Sequence, residues 1–233
     1  MKYPKTASYM NPHYLSKIMG PNPLKLLEEM MTHVALAPGS RVMDLGCGQG
    51  LTSLFLHKEY GMKVTACDLW CDPTDNLAFF QAEGADILPL RTDATQGLPF
   101  PREYFDAIVS IDSYHYFGRE PGFLEKHLLP FVKKGGWVVL AVPGMKTDLH
   151  HALPPELLLS WTPEDLDTIH DTVFWRKVMQ HVPNASIFEM EGNEELWQDW
   201  LQQENPYAVG DRKAMNAGAG RYMNFVGMVI QKV

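Results

Sequence analysis

Residues 42 to 50 read VMDLGCGQG, and this stretch decides the fold of the chain. An apolar run ends at Asp44, and glycines follow at the alternate positions Gly46, Gly48 and Gly50. Glycine adopts positive φ without strain and has no Cβ, so a ligand can approach the backbone of such a turn closely. In a doubly wound sheet, ligands bind where the strands end, beyond their carboxyl termini. The stretch therefore predicts a strand, then a ligand-binding loop, then a helix.

Short apolar runs alternate with helical patterns on both sides of this loop, which indicates an α/β fold. Strands are predicted over residues 41–46, 63–69, 87–92, 105–111, 136–142 and 186–191, with a seventh in RYMNFVGMVIQKV at 221–233. Helices are predicted over residues 23–34, 51–59, 74–83, 121–132, 162–178 and 194–203. The alternation predicts a doubly wound, mostly parallel, seven-stranded sheet with helices on both faces.

The length of 233 residues fits a single domain over 1–233. Residues 1–21 are predicted to form an irregular or partly helical arm that covers the site. Residues 144–181 are longer than one crossover helix needs, and we expect a lid or insertion there. Tyr9 and Tyr14 of the arm and Trp161 of the lid are candidate substrate-binding residues. Ordinary packing is the alternative role for each of them.

The composition limits which partners and which cellular compartment are expected. The formal net charge is −8, whereas nucleic acids and anionic membranes favour a basic surface. No apolar run approaches the length of a membrane span, and the N-terminus lacks the apolar core of a signal peptide. Cys47, Cys67 and Cys71 cannot all pair, which is typical of a reducing compartment. We therefore expect a cytoplasmic protein with no nucleic-acid or membrane partner. Only Cys67 and Cys71 have a spacing suited to zinc, so no metal is expected.

The spacing of the glycines distinguishes two kinds of nucleotide site. The dinucleotide fingerprint G-x-G-x-x-G requires glycine at position 51, where this chain has Leu51. The observed D-x-G-x-G-x-G, starting at Asp44, resembles the first motif of the class I S-adenosylmethionine-dependent methyltransferases. The resemblance implies a Rossmann-like methyltransferase fold with an antiparallel last strand. It also implies S-adenosylmethionine as the cofactor and S-adenosylhomocysteine as the product, without a metal.

Further motifs of this family follow in order over residues 20–143. In VTACDLW (64–70), Asp68 matches the acidic residue that holds both ribose hydroxyls, since a carboxylate can accept from both. Asp93 and Ala94 match the residues near adenine, and Asp112 in IDSYHYF matches the lining of the methionine part. LLPFVKKGGWVVLAVPG at 128–144 resembles the fifth-strand motif. The cofactor-binding residues that the resemblance implies are Asp44, Gly46, Cys47, Gly48, Gly50, Asp68, Leu69, Asp93, Ala94 and Asp112.

Methyl transfer from a sulfonium is an in-line displacement, so catalysis can come mostly from proximity and orientation. A base is needed only when the acceptor is protonated. Tyr114 and His115 follow Asp112 closely and are the candidate catalytic residues, and His115 is also a candidate substrate contact. Histidine titrates near neutrality and can act as a general base. The alternative is a half-buried histidine that only shapes the cofactor pocket.

The motif set predicts methyl transfer to a small-molecule acceptor. IDSY at 111–114 stands where amino-group methyltransferases of nucleic acids have N-P-P-Y, which disfavours a polynucleotide acceptor. The alternative is a non-catalytic protein of the same fold, acting as a cofactor sensor or a partner subunit. A dehydrogenase is a third candidate, and Leu51 disfavours it. The sequence leaves open the acceptor, the methylated atom and the oligomeric state.

Overall fold

Seven strands form one sheet in the order β3-β2-β1-β4-β5-β7-β6 in the computed structural model, which describes residues 2–190 and 193–233. The strands are β1 Arg41–Leu45, β2 Lys63–Asp68, β3 Leu88–Arg91, β4 Phe105–Ile111, β5 Val132–Met145, β6 Ala185–Met190 and β7 Met223–Gln231. Neighbouring strands from β3 to β5 are parallel, whereas β7 is antiparallel to both β5 and β6. The predicted sheet, with its antiparallel last strand, is confirmed.

Helices pack on both faces of this sheet. They are α1 Pro12–Leu15, α2 Pro23–Met30, α3 Leu51–Tyr60, α4 Pro73–Ala82, α5 Phe123–His127, α6 Pro163–Leu166, α7 Thr172–Val178, α8 Asn193–Leu201 and α9 Pro206–Asn216. Residues next to the helix start determine where α2 begins. The Asn22 side chain accepts hydrogen bonds from Leu24 N and Lys25 N, and Pro23 occupies the first turn. Across the described ranges, no helix has the length and apolar character needed to cross a membrane.

Successive strand residues face opposite core layers, because side chains alternate across a strand. Val42 of β1 packs in one layer with Phe55 of α3. Met43, the next residue, packs in the other layer with Trp175 of α7. All four side chains are fully buried, so β1 is covered on both faces as expected for a central parallel strand.

The strand order reverses beside β1, and this places a crevice at the carboxyl edge of the sheet. β1 pairs with β2 on one side and with β4 on the other, both in parallel. The connections that leave these strands therefore diverge to opposite faces, and their first residues surround an open space. The glycine loop, the end of β2 and the end of β4 meet at this crevice.

Two predicted helices differ from the structure. The pattern over 162–178 belongs to two helices, because Thr162 and Asp165 form a capping box for α6 while Asp171 accepts from Phe174 N and starts α7 separately. The helix expected over 121–132 is limited to α5 and is followed by a 3₁₀ turn at Leu129–Phe131. This turn contains Pro130, which has no backbone N–H.

Helix α9 was not predicted. Its start signals are ordinary, since Asn205 caps it by accepting from Tyr207 N and Pro206 follows. Its interior contains Gly210 and few apolar residues, which weakens the helical pattern in the sequence. Contacts with α8 and with a 3₁₀ turn at Leu157–Leu159 hold it in place.

The N-terminal arm is fastened to the outside of α2 and α3. Buried Glu28 accepts hydrogen bonds from Lys5 N at 2.9 Å, Thr6 N at 2.8 Å and Thr6 Oγ1 at 2.7 Å. Short helical turns at Thr6–Tyr9 and in α1 follow, so the arm is partly helical. Beyond α1 the chain crosses the carboxyl edge of the sheet before it enters α2.

Candidate active site

The glycine loop joins β1 to α3 at the carboxyl edge of the sheet. Gly46, Gly48 and Gly50 have φ of 78°, 53° and 83°, a left-handed region that glycine alone adopts readily. The space beside Gly46 is also restricted, because a Cβ on this residue would collide with the Ser113 hydroxyl. The loop therefore needs glycine both for its backbone conformation and for close approach to the end of β4.

Groups from β2 and α4 hold this loop in shape. Cys67 O accepts hydrogen bonds from Gly46 N at 2.7 Å and from Cys47 N at 3.1 Å. On the other side, the buried Asn76 amide donates to Gly48 O at 2.9 Å. These contacts turn the backbone of the loop toward the crevice and leave it little freedom.

Asp44 lies beneath the loop and is buried. Its Oδ2 accepts hydrogen bonds from the hydroxyls of Thr52 and Ser53, each at 2.6 Å, in the first turn of α3. Burial raises the pKa of Asp44 to about 6, and the two hydroxyl donors oppose that rise. The carboxylate thus ties the end of β1 to the start of α3.

Asp68, at the end of β2, accepts three backbone hydrogen bonds. Its Oδ2 accepts from Gly48 N, and its Oδ1 accepts from Trp70 N and Cys71 N, each at 2.8 Å. A carboxylate has roughly four acceptor positions, so about one remains for a ligand. Asp68 therefore fastens the glycine loop to the loop that follows β2, and it has less capacity for two ribose hydroxyls than the sequence suggested.

Two adjoining cavities of about 130 Å³ and 230 Å³ lie at this edge. Both are lined by Gly46, Asp68, Trp70, Ser113 and Tyr116. Pockets for small molecules usually measure about 300–1,000 Å³, a range that the two cavities reach only jointly. Their shared walls suit one elongated ligand that lies across the ends of β1, β2 and β4.

Most of the predicted cofactor-binding residues line one of the two cavities. Gly46, Cys47, Gly48, Asp68 and Asp112 line the first cavity, and Leu69, Asp93 and Ala94 join Gly46 and Asp68 in the second. Asp44 and Gly50 line neither cavity. Asp44 supports the loop from below, and Gly50 starts α3 against Phe80, whose ring would lie 2.7 Å from a Cβ on that glycine.

Asp93 and Leu69 shape the second cavity. Asp93 Oδ1 accepts from the hydroxyl and the backbone N of Thr95, at 2.7 Å and 2.8 Å, and these bonds lower the pKa of Asp93. Leu69 is 46% exposed and offers an apolar surface on the same cavity. A charged acceptor beside an apolar wall is suited to a flat heteroaromatic ring that carries an amino group.

Asp112, at the end of β4, carries an unpaired carboxylate. Its backbone has φ of 56°, and its N donates to Ala141 O at 2.7 Å. Within 2–190 and 193–233, the side chain has neither a hydrogen bond nor an ion pair. Burial, and then the charge of Asp211, raises the pKa of Asp112 to about 7.

Trp70 and Tyr116 stand at the mouth shared by the two cavities. Their ring centroids are 5.3 Å apart at an interplanar angle of 63°, and the side chains are 68% and 50% exposed. Because the rings come from the loops after β2 and β4, they bridge the crevice above the glycine loop. Neither residue was among the predicted site residues.

Tyr114 and His115 do not line either cavity, so their predicted catalytic role has no geometric support. Both are buried in a 3₁₀ turn after β4, and Tyr114 packs against Trp175. Burial lowers the pKa of His115 to about 3, which leaves the imidazole neutral and a poor base. His115 instead stacks beside Tyr116, at 4.0 Å between ring centroids, and supports it from behind.

The other predicted substrate residues also lie away from the cavities. The Tyr9 hydroxyl donates to Glu59 Oε1 and the Tyr14 hydroxyl donates to Glu83 Oε2, each at 2.9 Å, so both hold the arm against α3 and α4. Trp161 packs beside Trp197, with ring centroids 6.0 Å apart. No residue of 144–181, all of which the structure describes, lines either cavity.

The arm reaches the first cavity through a different segment. Met19 and Gly20 line this cavity, and a Cβ on Gly20 would collide with Asp112 Oδ2. Met19 lies over the loop, since its Sδ would be 3.0 Å from a Cβ on Gly48. The glycine-proline pair at 20–21 was a usable signal, because it marks a turn just before the capped helix α2.

Comparison with known proteins agrees with this architecture. A family model described as a methyltransferase domain matches residues 43–140. A 2-methyl-6-phytyl-1,4-hydroquinone methyltransferase from Synechocystis is 33% identical over 107 residues, which cover 46% of this chain and 33% of the relative. A glycine/sarcosine/dimethylglycine N-methyltransferase from Actinopolyspora halophila is 29% identical over 165 residues, which cover 70% and 28%. A probable tRNA methyltransferase 9B from Homo sapiens is 28% identical over 126 residues, which cover 53% and 26%.

A solved structure extends the similarity to the whole fold. Geranyl diphosphate C-methyltransferase from Streptomyces coelicolor superposes with a TM-score of 0.69 and 16% identity, over 100% of this chain and 98% of that one. The chain thus matches a methyltransferase domain over residues 43–140 and shares its overall fold with that methyltransferase structure. It spans a third or less of the length of the curated relatives named above.

Proposed function

We propose that the chain binds S-adenosylmethionine across the two cavities and transfers its methyl group to a small-molecule acceptor. The observation that carries this proposal is the convergence of Gly46, Gly48, Asp68 and Asp93 on two cavities that share a wall. A nucleoside joined to an amino acid has the elongated shape that these cavities need together. The match of residues 43–140 to a methyltransferase domain supports the same ligand.

The residues present fit this cofactor along its whole length. The second cavity suits adenine, with Leu69 as the apolar wall and Asp93 as acceptor for an amino group. The remaining acceptor position of Asp68 suits a ribose hydroxyl. The first cavity suits the amino-acid part, because the glycine loop presents its backbone there and Lys17 adds a positive charge for a carboxylate.

The chemistry requires little from the protein beyond binding and orientation. S-adenosylmethionine supplies a methyl group that is already activated by a sulfonium. The glycine loop and Asp68 would hold the donor, and the end of β4 and the arm form further walls of the first cavity. Trp70 and Tyr116 offer ring surfaces at the mouth of the crevice, against which an acceptor can be oriented.

A small acceptor is favoured by the size of the crevice and by charge. The formal net charge of −8 opposes an extended phosphate backbone. The similarity to a probable tRNA methyltransferase makes a polynucleotide the alternative that must be tested directly. An acceptor screen that includes transfer RNA beside small amines, alcohols, thiols and phenols distinguishes the two. The readout is S-adenosylhomocysteine released per acceptor.

The first experiment is calorimetric titration of S-adenosylhomocysteine into the wild-type protein. We expect a dissociation constant in the micromolar range, which corresponds to a binding free energy on the order of −8 kcal/mol. Because Asp68 also holds two loops, an Asp68→Ala variant would lose binding for two reasons. The ribose contact is therefore tested on the ligand, with 2′-deoxy and 3′-deoxy analogues titrated into the unchanged protein. Loss of one hydroxyl should weaken binding about tenfold, and loss of the other much less.

Two results would contradict the proposal in different ways. Failure of the wild type to bind either S-adenosylmethionine or S-adenosylhomocysteine would remove the cofactor assignment itself. Tight cofactor binding with no turnover of any acceptor in the screen would keep the cofactor assignment. It would favour the alternative of a cofactor sensor or a partner subunit.

A further inference from the structure

The carboxylate of Asp112 is the unusual group of the first cavity, because it is partly buried and has no hydrogen-bond or ion-pair partner among the residues that the structure describes. The chain approaches it closely at Gly20, which has no side chain to offer a donor. Lys17 also lines this cavity, but its Nζ lies 4.2 Å from the ring centroid of Phe79 and makes no ion pair with Asp112. A partly buried charge without a partner calls for a ligand of opposite charge.

Two aromatic rings flank the same cavity. Trp70 and Tyr116 meet at 63° with centroids 5.3 Å apart, so they form two walls of a corner that opens to solvent. The face of an aromatic ring attracts a cation, and rings placed beside a carboxylate are the usual receptor for alkylammonium groups. Trp70 comes from the loop after β2, across the crevice from Asp112, whereas Tyr116 follows Asp112 in the loop after β4.

The wider surroundings are also negative. Asp165 at α6 and Asp211 at α9 both act on Tyr116, and Asp211 acts on Asp112 as well. Asp211 is held by a hydrogen bond from Trp200 Nε1 at 2.8 Å, so its position is defined. A positively charged ligand in the corner would be attracted by all of these carboxylates.

We propose that Trp70, Asp112 and Tyr116 form a subsite for an alkylammonium group and that the acceptor of the methyl group is an amine. This inference rests on the proposed function, because it assigns the acceptor side of the same site. The acceptor arrives as an ammonium ion and transfers one proton to the Asp112 carboxylate. The nitrogen lone pair then forms the new N–C bond to the methyl carbon, while the C–S bond breaks and its electron pair stays on sulfur. The products are the methylated ammonium ion, S-adenosylhomocysteine and a proton that leaves Asp112 for water.

The cofactor itself carries an ammonium group, so the same chemistry has two sources. The experiment separates them by using protein saturated with S-adenosylhomocysteine, in which that ammonium is already bound. Choline serves as the probe because its charge is fixed, and 3,3-dimethylbutan-1-ol is the neutral molecule of the same shape. Both are titrated calorimetrically into the saturated protein.

The variants are chosen to keep the fold. Asparagine tolerates the left-handed backbone of position 112, so Asp112→Asn removes the charge without strain. Asp86→Asn is the matched control, because Asp86 is exposed and lies away from both cavities. The melting temperature of each variant serves as an internal check that the fold is intact.

We expect choline to bind saturated wild type about tenfold or more tightly than the neutral analogue. Asp112→Asn should abolish this preference, and Asp86→Asn should retain it. Equal binding of the two probes to wild type would overturn the proposal, as would a preference that survives Asp112→Asn. Choline that binds only the cofactor-free protein, and is displaced by S-adenosylhomocysteine, would assign Asp112 to the cofactor ammonium and overturn it too. If the wild type does not bind S-adenosylhomocysteine, both proposals are overturned. If it binds S-adenosylhomocysteine but shows no preference for choline, only the amine subsite is overturned.

Discussion

The carboxyl ends of β2 and β4 each carry an aspartate, and the two carboxylates are in opposite situations. Asp68 accepts three backbone hydrogen bonds and fastens two loops together. Asp112 accepts none from the described part of the chain and faces the first cavity. A carboxylate surrounded by backbone donors is a structural fastener, whereas one left unpaired is available to a ligand.

The same contrast separates the two halves of the crevice. On the β1–β2 side, hydrogen bonds fix the backbone of the glycine loop, and its shape depends on the absence of side chains. On the β4 side, ring surfaces and an unpaired charge surround open space. We therefore expect changes on the first side to act through the shape of the loop, and changes on the second side to act through ligand charge.

The largest effect is expected from Gly46→Ala. The new Cβ would combine positive φ with a collision against the Ser113 hydroxyl. We expect affinity for S-adenosylhomocysteine to fall about 100-fold or more by calorimetry. Gly39→Ala is the matched control, because Gly39 has φ of 86° but nothing within 4 Å of its Cβ position. It should cost about 1 kcal/mol of unfolding free energy and leave affinity unchanged. Equal loss of affinity in both variants would mean that general destabilisation of the fold, not the collision in the loop, weakens binding.

Paired asparagine substitutions test the two aspartates directly. Asp68→Asn places an amide NH₂ among backbone N–H donors, so we expect affinity for S-adenosylhomocysteine to fall about 30-fold and the melting temperature to drop. Asp112→Asn breaks no hydrogen bond, and we expect less than about a threefold change. Similar losses in the two variants would contradict the distinction between a fastener and a ligand-binding charge.

The pH dependence of cation binding tests the charge of Asp112. Burial and Asp211 raise its pKa to about 7, so its carboxylate is ionised above that pH and protonated below it. Attraction for a cation is therefore present at high pH and is lost as the pH falls through about 7. We expect choline affinity of the saturated protein to drop about tenfold between roughly pH 8 and 6. The profile should be flat in Asp112→Asn, and a wild-type profile equally flat would show that another group holds the cation.

The smallest effect is expected at Tyr116. Tyr116→Phe keeps the ring, so we expect choline affinity to change less than about twofold. Tyr116→Leu removes the ring from a half-exposed site, and we expect a loss of about threefold. Calorimetry with the saturated protein measures both. A greater loss in the phenylalanine variant would indicate that the hydroxyl, rather than the ring face, contacts the ligand.

Much of the lining of the two cavities could be predicted, because these residues lie at or just after the ends of strands. The glycines follow β1 directly, and Asp68 and Asp93 follow the next two strands. The predicted catalytic residues Tyr114 and His115, by contrast, line neither cavity. In a 3₁₀ turn, successive side chains diverge around the axis, so adjacent residues 114, 115 and 116 face different surroundings. Only Tyr116 of the three reaches the crevice.

The sequence by itself determined the seven strands, most of the helices between them, the glycine loop and the resemblance to a methyltransferase family. These features depend on backbone preferences and on short-range patterns that adjacent residues carry. Only the tertiary structure decided that Gly20 would lie against Asp112 and that Trp70 would meet Tyr116. Such contacts join strand ends that are distant along the chain, and their geometry depends on how the whole sheet twists and packs. The unpaired charge of Asp112, on which the amine proposal rests, belongs to this second group.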